Sequence, residues 1–182
     1  RCVTHYRRPP QLWRATGALE RALRHVDEFL AISEFSREKH REFGFPRDMT
    51  VLPYALPARE EDGRVGEGAI HPRPSFLFVG RLEKLQGLDD VIRAMRRLPD
   101  VDLVIAGAGA WEPELRRLAE GLPNVRFVGW VESGALRAYY RDCLGLVVPS
   151  VCFETFGIIL AEAFRDGTPV VARDLGPFPE LV

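Results

Sequence analysis

The feature that most constrains the fold is the regular alternation of short apolar runs with helical patterns in the later part of the chain. The apolar runs have the length of β-strands, and they are Phe76–Val79, Leu103–Ala106, Val125–Val128, Leu146–Val148 and Val170–Ala172. Between them, apolar residues recur three and four positions apart, as on one face of a helix. Strands that alternate with helices form βαβ units, whose strands are parallel and buried on both faces. We therefore predict an α/β fold with a five-stranded parallel sheet and helices on both of its faces.

The first part of the chain has a shorter version of the same pattern. The predicted elements are a helix around Leu19, Ala22, Leu23 and Val26, a strand at Glu28–Ile32, a helix at Glu34–Phe43 and a strand at Met49–Leu52. Ser33 is a good N-cap for the second of these helices, because its side chain can accept a hydrogen bond from a free backbone N–H group. Residues 1–56 are therefore predicted to form α/β structure of their own.

Residues 57–74 differ from both neighbouring regions. They are charged, rich in glycine and bounded by Pro57 and Pro74, which is typical of a mobile linker between domains. The chain is thus divided into residues 1–56, 57–74 and 75–182. It begins at Arg1 and stops at Val182 without a terminal helix pattern, and this favours an internal fragment of a longer protein.

The composition excludes several classes of function. A net charge of −1 and a hydrophobic content of 46% over 182 residues are typical of a soluble globular protein and not of one that binds nucleic acid. The three cysteines, Cys2, Cys143 and Cys152, have no CxxC spacing and no neighbouring histidine cluster, so neither disulfides nor a zinc site are expected. No apolar run approaches the ~18 residues of a membrane span, and no signal peptide opens the chain.

The loop after the fourth apolar run is the strongest candidate for a ligand site. It contains Glu154 and leads through Gly157 into a helix. The backbone N–H groups near Phe156, Gly157 and Ile158 would have no partner within that helix, and they suit a phosphate group. Gly157 has no Cβ atom, so a ligand can approach the backbone closely. Glu162 follows roughly 8 Å further along the helix, and the two carboxylates can hold different parts of one elongated ligand.

From spacing alone, the same stretch is equally compatible with an amphipathic core helix that has two unrelated acids. A second loop, Gly80–Gly87, is expected at the same edge of the sheet, because the carboxyl ends of parallel strands meet there. Arg81 and Lys84 in this loop are cations that can stabilise the charge of a departing diphosphate. Without further context, two solvated surface cations are the simpler interpretation. Two glycines at Gly107 and Gly109 are accounted for by a tight turn between strand and helix.

The first loop and its helix resemble a known motif. The residues concerned are Pro149-Ser150, Phe153-Glu154-Thr155-Phe156-Gly157, Glu162-Ala163-Phe164 and Asp166-Gly167-Thr168-Pro169-Val170-Val171-Ala172. This frame, with seven residues between its two glutamates, resembles the paired-glutamate motif of the retaining, nucleotide-sugar-dependent glycosyltransferases of family 4. Those enzymes have the GT-B fold of two Rossmann-like domains. The resemblance extends from about Asp27 to the end of the chain, and its motif is highly specific.

The resemblance implies the identity of each region. Residues 75–182 would be the Rossmann-like donor domain, incomplete at its C-terminus, and residues 1–56 the C-terminal portion of the acceptor domain, with residues 57–74 as the interdomain linker. The implied reaction transfers a sugar from a nucleoside diphosphate sugar to an acceptor with retention of anomeric configuration. The acceptor would be a carbohydrate, a lipid-linked molecule or another small molecule. It would bind mainly to the missing part of the acceptor domain, so residues 1–182 alone are expected to be inactive.

The resemblance also implies roles for particular residues. The implied donor contacts are Gly80, Arg81, Gln86, Trp130, Val131, Glu154, Thr155, Phe156, Gly157, Ile158 and Glu162. The implied catalytic residues are Arg81, Lys84 and Glu154. Glu162 would hold the ribose hydroxyls, Glu154 the sugar hydroxyls, and Arg81 with the helix amides the diphosphate. Trp130 and Val131 would line the nucleotide base, although ordinary packing explains Trp130 equally well.

One position departs from the family pattern. The family has a lysine directly before the second glycine of the Gly80–Gly87 loop, and this chain has Gln86 there. Lys84 is a candidate to replace that lysine, and it is notable because it and Lys39 are the only lysines of the chain. The departure leaves open a non-catalytic partner subunit that only binds the nucleotide sugar. A related GT-B enzyme, such as a phosphorylase or an epimerase, is a second alternative, and it would be distinguished by binding a sugar phosphate.

No cofactor is expected. No Asp-x-Asp pair presents carboxylates to a divalent ion, so we expect no metal, and cations and helix amides would take its place. The resemblance further implies a bacterial enzyme of polysaccharide or glycoconjugate biosynthesis. It would lie in the cytoplasm, with peripheral association at the inner face of the membrane as an open alternative.

Overall fold

The computed structural model describes residues 16–57 and 71–182. These belong to two compact units, one that ends at Leu52 and one that begins at Pro53. Most of the predicted linker, residues 57–74, lies outside the described residues, as does the beginning of the chain. The linker's mobility and the assignment of the units to acceptor and donor domains therefore stay predictions.

The first unit follows the predicted order of helix, strand, helix and strand. Its elements are α1 (Ala18–Leu23), β1 (Leu30–Ala31), α2 (Glu34–Glu42) and β2 (Thr50–Val51). The two strands are parallel and pair only two residues each, so they are shorter than predicted. Ser33 caps α2 as expected, because its Oγ accepts a hydrogen bond of 3.0 Å from the backbone N of Ser36. The α1 helix ends before Val26, whose N–H group instead donates to the Leu23 carbonyl in a turn.

The second unit contains the predicted alternation of strands and helices. Its strands are β3 (Ser75–Val79), β4 (Asp102–Ala106), β5 (Val125–Gly129), β6 (Gly145–Val148) and β7 (Val170–Ala172). Its helices are α3 (Leu88–Met95), α4 (Glu112–Leu118), α5 (Ser133–Asp142), α6 (Ile158–Arg165) and α7 (Phe178–Leu181), with a 3₁₀ helix at Lys84–Gln86 before α3. The five strands form one parallel sheet, as predicted.

The order of the strands across the sheet is β5-β4-β3-β6-β7. From β3 the chain moves outward through β4 to β5, and it then returns to the other side of β3 to form β6 and β7. The order therefore reverses between β3 and β6. In open α/β sheets such a reversal leaves a crevice at the carboxyl ends of the two strands, and ligands bind there.

Successive residues of the strands point to opposite faces, and each face has its own buried cluster. On one face, Leu77 and Val104 pack with Tyr140 of α5 and with Leu160 and Phe178 of α6 and α7. On the other face the strands pack against α3 and α4, and the buried residues include Phe78, Ile105, Ile92, Met95 and Leu115. This confirms the predicted three-layer α/β arrangement.

One sequence expectation about the end of the chain was wrong. Residues Phe178–Leu181 form the short helix α7, although no terminal helix pattern was recognised. Four residues are too few to show a helical period. The helix is stabilised by packing, since Phe178 is only 1% exposed.

Candidate donor-binding site

Three loops at the carboxyl edge of the sheet are held side by side by close backbone contacts. Gly107 allows the nearest approach: a Cβ atom there would lie 1.9 Å from the Gly80 carbonyl oxygen. A Cβ atom on Gly87, which has a positive φ of 68°, would lie 2.2 Å from the Pro149 carbonyl oxygen. The Val151 N–H group also donates to the Leu85 carbonyl at 2.9 Å. The glycine at 107 is therefore required by the neighbouring loop, a reason that a tight turn alone does not provide.

A cavity of about 400 Å³ opens between the loops that follow β3 and β6. It brings together eight of the predicted donor contacts, which are Gly80, Arg81, Gln86, Glu154, Thr155, Phe156, Gly157 and Ile158. Tyr54, Ser150, Ile159 and Phe178 complete much of its wall. Among the described residues that line it, Arg81 is the one cation and Glu154 the one carboxylate. A larger cavity of about 680 Å³ lies in the first unit, but it contains none of the predicted residues.

Glu154 and Gln86 are connected through the buried hydroxyl of Ser150. Ser150 is only 1% exposed, and its Oγ lies 3.2 Å from Gln86 Oε1 and 3.4 Å from Glu154 Oε1. A serine hydroxyl has one proton, so it donates to one of these two oxygens at a time. The serine thereby couples the two loops that form the cavity. Sequence reasoning did not assign a role to Ser150, although its polarity directly after an apolar strand was a usable signal.

The N-terminus of α6 faces the same cavity. Its N-cap residue is Gly157, which gives it no side-chain cap hydrogen bond, and its first backbone N–H groups have no acceptor within the helix. Gly157 precedes the helix with a φ of 88°, a left-handed conformation that favours glycine. A Cβ atom there would lie 2.8 Å from the Phe178 ring. Packing and backbone geometry thus explain this glycine, whereas the sequence analysis had attributed it to ligand approach.

Glu162 lies one helical turn beyond the cavity wall on α6. Residues three and four positions apart are neighbours on a helix surface, so Glu162 is adjacent to the cavity-lining residues Ile158 and Ile159. Its Oε2 accepts a hydrogen bond of 3.0 Å from the hydroxyl of Tyr140. Burial, followed by the nearby Glu162 carboxylate, raises the pKa of Tyr140 far above its ordinary value, so the phenol stays protonated and acts as a donor.

The family follows from the sequence match. Residues 60–182 match the family described as glycosyl transferases group 1. The chain belongs to this glycosyltransferase family. An uncharacterized glycosyltransferase of Methanocaldococcus jannaschii is 38% identical over 113 residues, 59% of this chain and 29% of that protein. A phosphatidyl-myo-inositol mannosyltransferase of Mycobacterium leprae is 39% identical over 114 residues, 59% of this chain and 30% of that protein.

A solved structure has the same fold as this glycosyltransferase chain. The HepE protein of Anabaena, solved in complex with UDP and glucose, superposes with a TM-score of 0.73 at 21% identity, over 91% of this chain and 49% of that one. The present chain spans 21% to 42% of the length of the curated relatives that we compared.

Four of the predicted residues of the glycosyltransferase lie outside the cavity lining. They are Lys84, Trp130, Val131 and Glu162. The Lys84 ammonium lies 5.4 Å from the centre of the Trp111 ring, and the Trp111 N–H group donates to Asp89 at 3.1 Å. Trp130 is 78% exposed, whereas Val131 packs against the core beneath α5. Their roles in binding and catalysis stay predictions.

Two further findings concern ions and membranes. Within residues 16–57 and 71–182, no group of three or more His, Cys, Asp or Glu side chains is placed to hold a metal ion. The chain does contain an Asp-x-Asp pair at Asp100 and Asp102, but it lies at the amino end of β4, opposite the cavity. None of the described helices is both long and apolar enough to cross a membrane.

Proposed function

We propose that this chain is the donor-binding part of a retaining glycosyltransferase that takes its sugar from a nucleoside diphosphate sugar. The observation that carries the proposal is the meeting of three features in one cavity at the strand-order reversal. These are the guanidinium of Arg81, the uncapped N-terminus of α6 and the carboxylate of Glu154. A cation and helix amides suit a diphosphate, and a carboxylate suits sugar hydroxyls.

Each part of the donor would have its own partner. Arg81 and the N–H groups of Phe156–Ile158 would bind the diphosphate, whose negative charge increases as its bond to the sugar breaks. Stabilising that charge is the main contribution that this domain can make to the rate. Glu154 would accept hydrogen bonds from the sugar hydroxyls, and Glu162, one turn further along α6, from the ribose hydroxyls.

Retention of configuration is proposed from the paired-glutamate frame. The acceptor hydroxyl would attack the anomeric carbon on the face from which the diphosphate departs. The electron pair of the broken bond would pass to a phosphate oxygen, and that departing oxygen would take the proton of the acceptor hydroxyl. The acceptor itself would bind mainly to a domain outside this chain, so residues 1–182 alone should not transfer sugar. The HepE structures that hold UDP and glucose or UDP-glucose support a nucleotide-sugar donor, and the relatives named as mannosyltransferases support the transfer of a sugar.

A second candidate function is a partner subunit that binds the nucleotide sugar without turning it over. Gln86 is the observation that favours it, because a neutral side chain lines the cavity where the family has a lysine. Both candidates require donor binding. Turnover by the full-length protein distinguishes them, since only the enzyme would release the nucleoside diphosphate.

The donor class can be tested by thermal shift of the full-length protein with UDP-, GDP- and ADP-sugars. A ligand that binds only the folded protein stabilises it by about 2.7 kcal/mol at one hundred times its Kd. We expect one nucleotide to raise Tm clearly above the other two. Stabilisation by a sugar phosphate, and by none of the three nucleotide sugars, would instead indicate a phosphorylase.

Donor binding should not depend on a divalent metal, because Arg81 and the α6 amides provide the positive charge that a metal would otherwise supply. Calorimetry of the full-length protein with its nucleotide sugar, before and after treatment with EDTA, tests this. We expect the Kd to change less than twofold. A loss of affinity well beyond tenfold on chelation would contradict it.

A further inference from the structure

Within residues 16–57 and 71–182, the Glu162 side chain has one hydrogen bond, and Tyr140 makes it. The tyrosine is 2% exposed, and its ring lies in the same buried cluster as Leu160 and Ala163 of α6. Its hydroxyl donates to Glu162 Oε2 at 3.0 Å. Its backbone carbonyl accepts a hydrogen bond of 2.6 Å from the buried hydroxyl of Thr168. The tyrosine is therefore fixed by packing along its ring and by hydrogen bonds at both ends.

This contact leaves one oxygen of the carboxylate available. A phenol has a single proton and uses it here on Oε2, so Oε1 of Glu162 can still accept from another partner. Glutamate has three side-chain torsions, and a half-exposed glutamate on a helix would otherwise sample several rotamers. Because Tyr140 is itself immobile, its hydrogen bond restricts Glu162 to the rotamers that reach the tyrosine hydroxyl.

We propose that Tyr140 is a positioning residue for the donor: it holds Glu162 so that the free carboxylate oxygen meets the vicinal hydroxyls of a nucleoside ribose. This rests on the proposed function, since it assigns Tyr140 to the same site. The tyrosine itself does not touch the ligand. Tyr140 restricts the Glu162 side chain before the ligand binds. Glu162 therefore loses less conformational entropy when it binds the ligand.

The alternative is that Tyr140 only fills the core and uses Glu162 to satisfy its own hydroxyl. The two roles differ in what happens when the hydroxyl is removed. A packing role predicts a lower Tm with unchanged ligand affinity. A positioning role predicts weaker binding even in the fully folded protein, confined to ligands that have the ribose hydroxyls.

The test uses Tyr140→Phe in the full-length protein, with Tyr139→Phe as the matched control one residue earlier on α5. Calorimetry with UDP, GDP and ADP identifies the nucleotide that binds the unaltered protein, and the Kd of each variant for that nucleotide is then compared. We expect Tyr140→Phe to raise the Kd about tenfold, the size of one hydrogen bond. Tyr139→Phe should change it less than twofold. In the enzyme, KM for the nucleotide sugar should rise while kcat changes little, because the ribose is remote from the reacting bond.

Two further comparisons locate the effect. The 2′,3′-dideoxy form of the same nucleotide, which lacks both hydroxyls that Glu162 would hold, should bind Tyr140→Phe and the unaltered protein equally. In a Glu162→Ala background, Tyr140→Phe should cause no additional loss, because residues that act through one contact are not additive. An unchanged Kd in folded Tyr140→Phe, or an equal loss for the dideoxy nucleotide, would overturn the proposal.

Should Tyr140→Phe fail to fold, Glu162→Asp tests the same point, because a shorter acid cannot reach both the phenol and the ligand. We expect about the same tenfold loss of affinity, and parental affinity in this variant would also overturn the proposal. The proposed function fails separately: if Glu162→Ala leaves nucleotide affinity unchanged, or no nucleotide binds, the donor site itself is wrongly assigned.

Discussion

At the carboxyl edge of the sheet Arg81 and Glu154 line a cavity, whereas at the amino edge partly exposed basic side chains surround one fully buried carboxylate. Asp102, at the start of β4, has no exposed surface, and Arg126, Arg73 and His71 approach it at 3.0, 3.3 and 3.4 Å. The Glu154 carboxylate is half-buried. Within the described residues, its hydrogen-bonding neighbour is Ser150 and it has no ion pair.

The difference shows that charged side chains have different roles at the two ends of the strands, stability at the amino ends and ligand binding at the carboxyl ends. A carboxylate removed from water needs cations and hydrogen bonds in its place; Asp102 has a hydrogen bond from Arg126 and the Arg73 guanidinium nearby. Such a group contributes to stability and, having no exposed surface, is closed to a ligand. Glu154 keeps both its hydration and its free oxygens, so a ligand can take the place of water. The Asp-x-Asp pair at residues 100 and 102 is thus part of the stabilising edge.

The largest effect expected from this comparison is on stability at the amino edge. Asp102→Ala should lower the free energy of unfolding by ~3 kcal/mol, at the lower end of the range for breaking a buried ion pair, because the two arginines can turn toward water. Nucleotide affinity of the folded protein should stay within twofold. Urea unfolding and calorimetry measure the two quantities.

Asp100→Ala is the matched control, since it removes an exposed carboxylate two residues away on the same edge. A surface change of this kind is expected to alter the free energy of unfolding by less than ~0.5 kcal/mol. Equal effects of the two substitutions on stability would show that the buried cluster around Asp102 does not stabilise the fold.

Substitutions at the carboxyl edge should change ligand affinity more than the free energy of unfolding. Glu162→Ala should weaken binding of the nucleotide by ~2 kcal/mol, the size of a charged hydrogen bond. It should also lower the free energy of unfolding by ~1 kcal/mol, less than Asp102→Ala, because the buried Tyr140 hydroxyl loses its acceptor. Glu154→Ala should mainly reduce the preference for the nucleotide sugar over the bare nucleoside diphosphate. Calorimetry with both ligands separates the two carboxylates. The site assignment would be lost if neither substitution changed either affinity.

The comparison also explains which features could be read from the sequence. The five strands were predicted to within one residue at each end, because each contains a short apolar run. The strands β4 and β6 are buried along their whole length, whereas the edge strand β5 alternates and includes the exposed Arg126. The loops of the cavity followed, since parallel strands deliver their carboxyl ends to one edge. The prediction that Glu154, Gly157 and Arg81 lie at one edge therefore needed no knowledge of the strand order, and their roles in a site stay predictions.

The contacts between elements could not be predicted in this way. Gln86 meets Ser150 across 64 residues, Tyr140 meets Glu162 across 22, and Asp102 meets Arg126 across 24. These pairs depend on the strand order and on which helix covers which face of the sheet. The hydrophobic periodicity of the local sequence predicts neither. For the same reason the sequence analysis could not show that the Lys84 side chain lies over Trp111 and not among the residues that line the cavity.

The smallest expected effect concerns the neutral residue of the cavity. Gln86→Lys in the full-length protein should raise kcat by about tenfold, equivalent to ~1.4 kcal/mol, and change donor affinity less. The added charge would act on the proposed diphosphate in the transition state, where the negative charge of the diphosphate would be greatest. Gln86→Met, of similar length and without charge, is the control, and it should not increase kcat. An equal rise in both variants would show that the lost contact with Ser150, and not the new charge, is responsible.

The same substitution reveals whether Lys84 leaves Trp111 during turnover. If the Lys84 ammonium moves to the leaving diphosphate, Lys84→Ala should reduce kcat strongly in the parent protein. The reduction should be smaller in the Gln86→Lys background, because the two cations would share one partner. If it stays over the ring, Lys84→Ala should reduce kcat less than twofold in both backgrounds. A double-mutant cycle on kcat distinguishes these cases. Near-zero effects of both substitutions, alone and together, would mean that cations of this loop do not act on a leaving group, and would leave the non-catalytic binding subunit as the better account of Gln86.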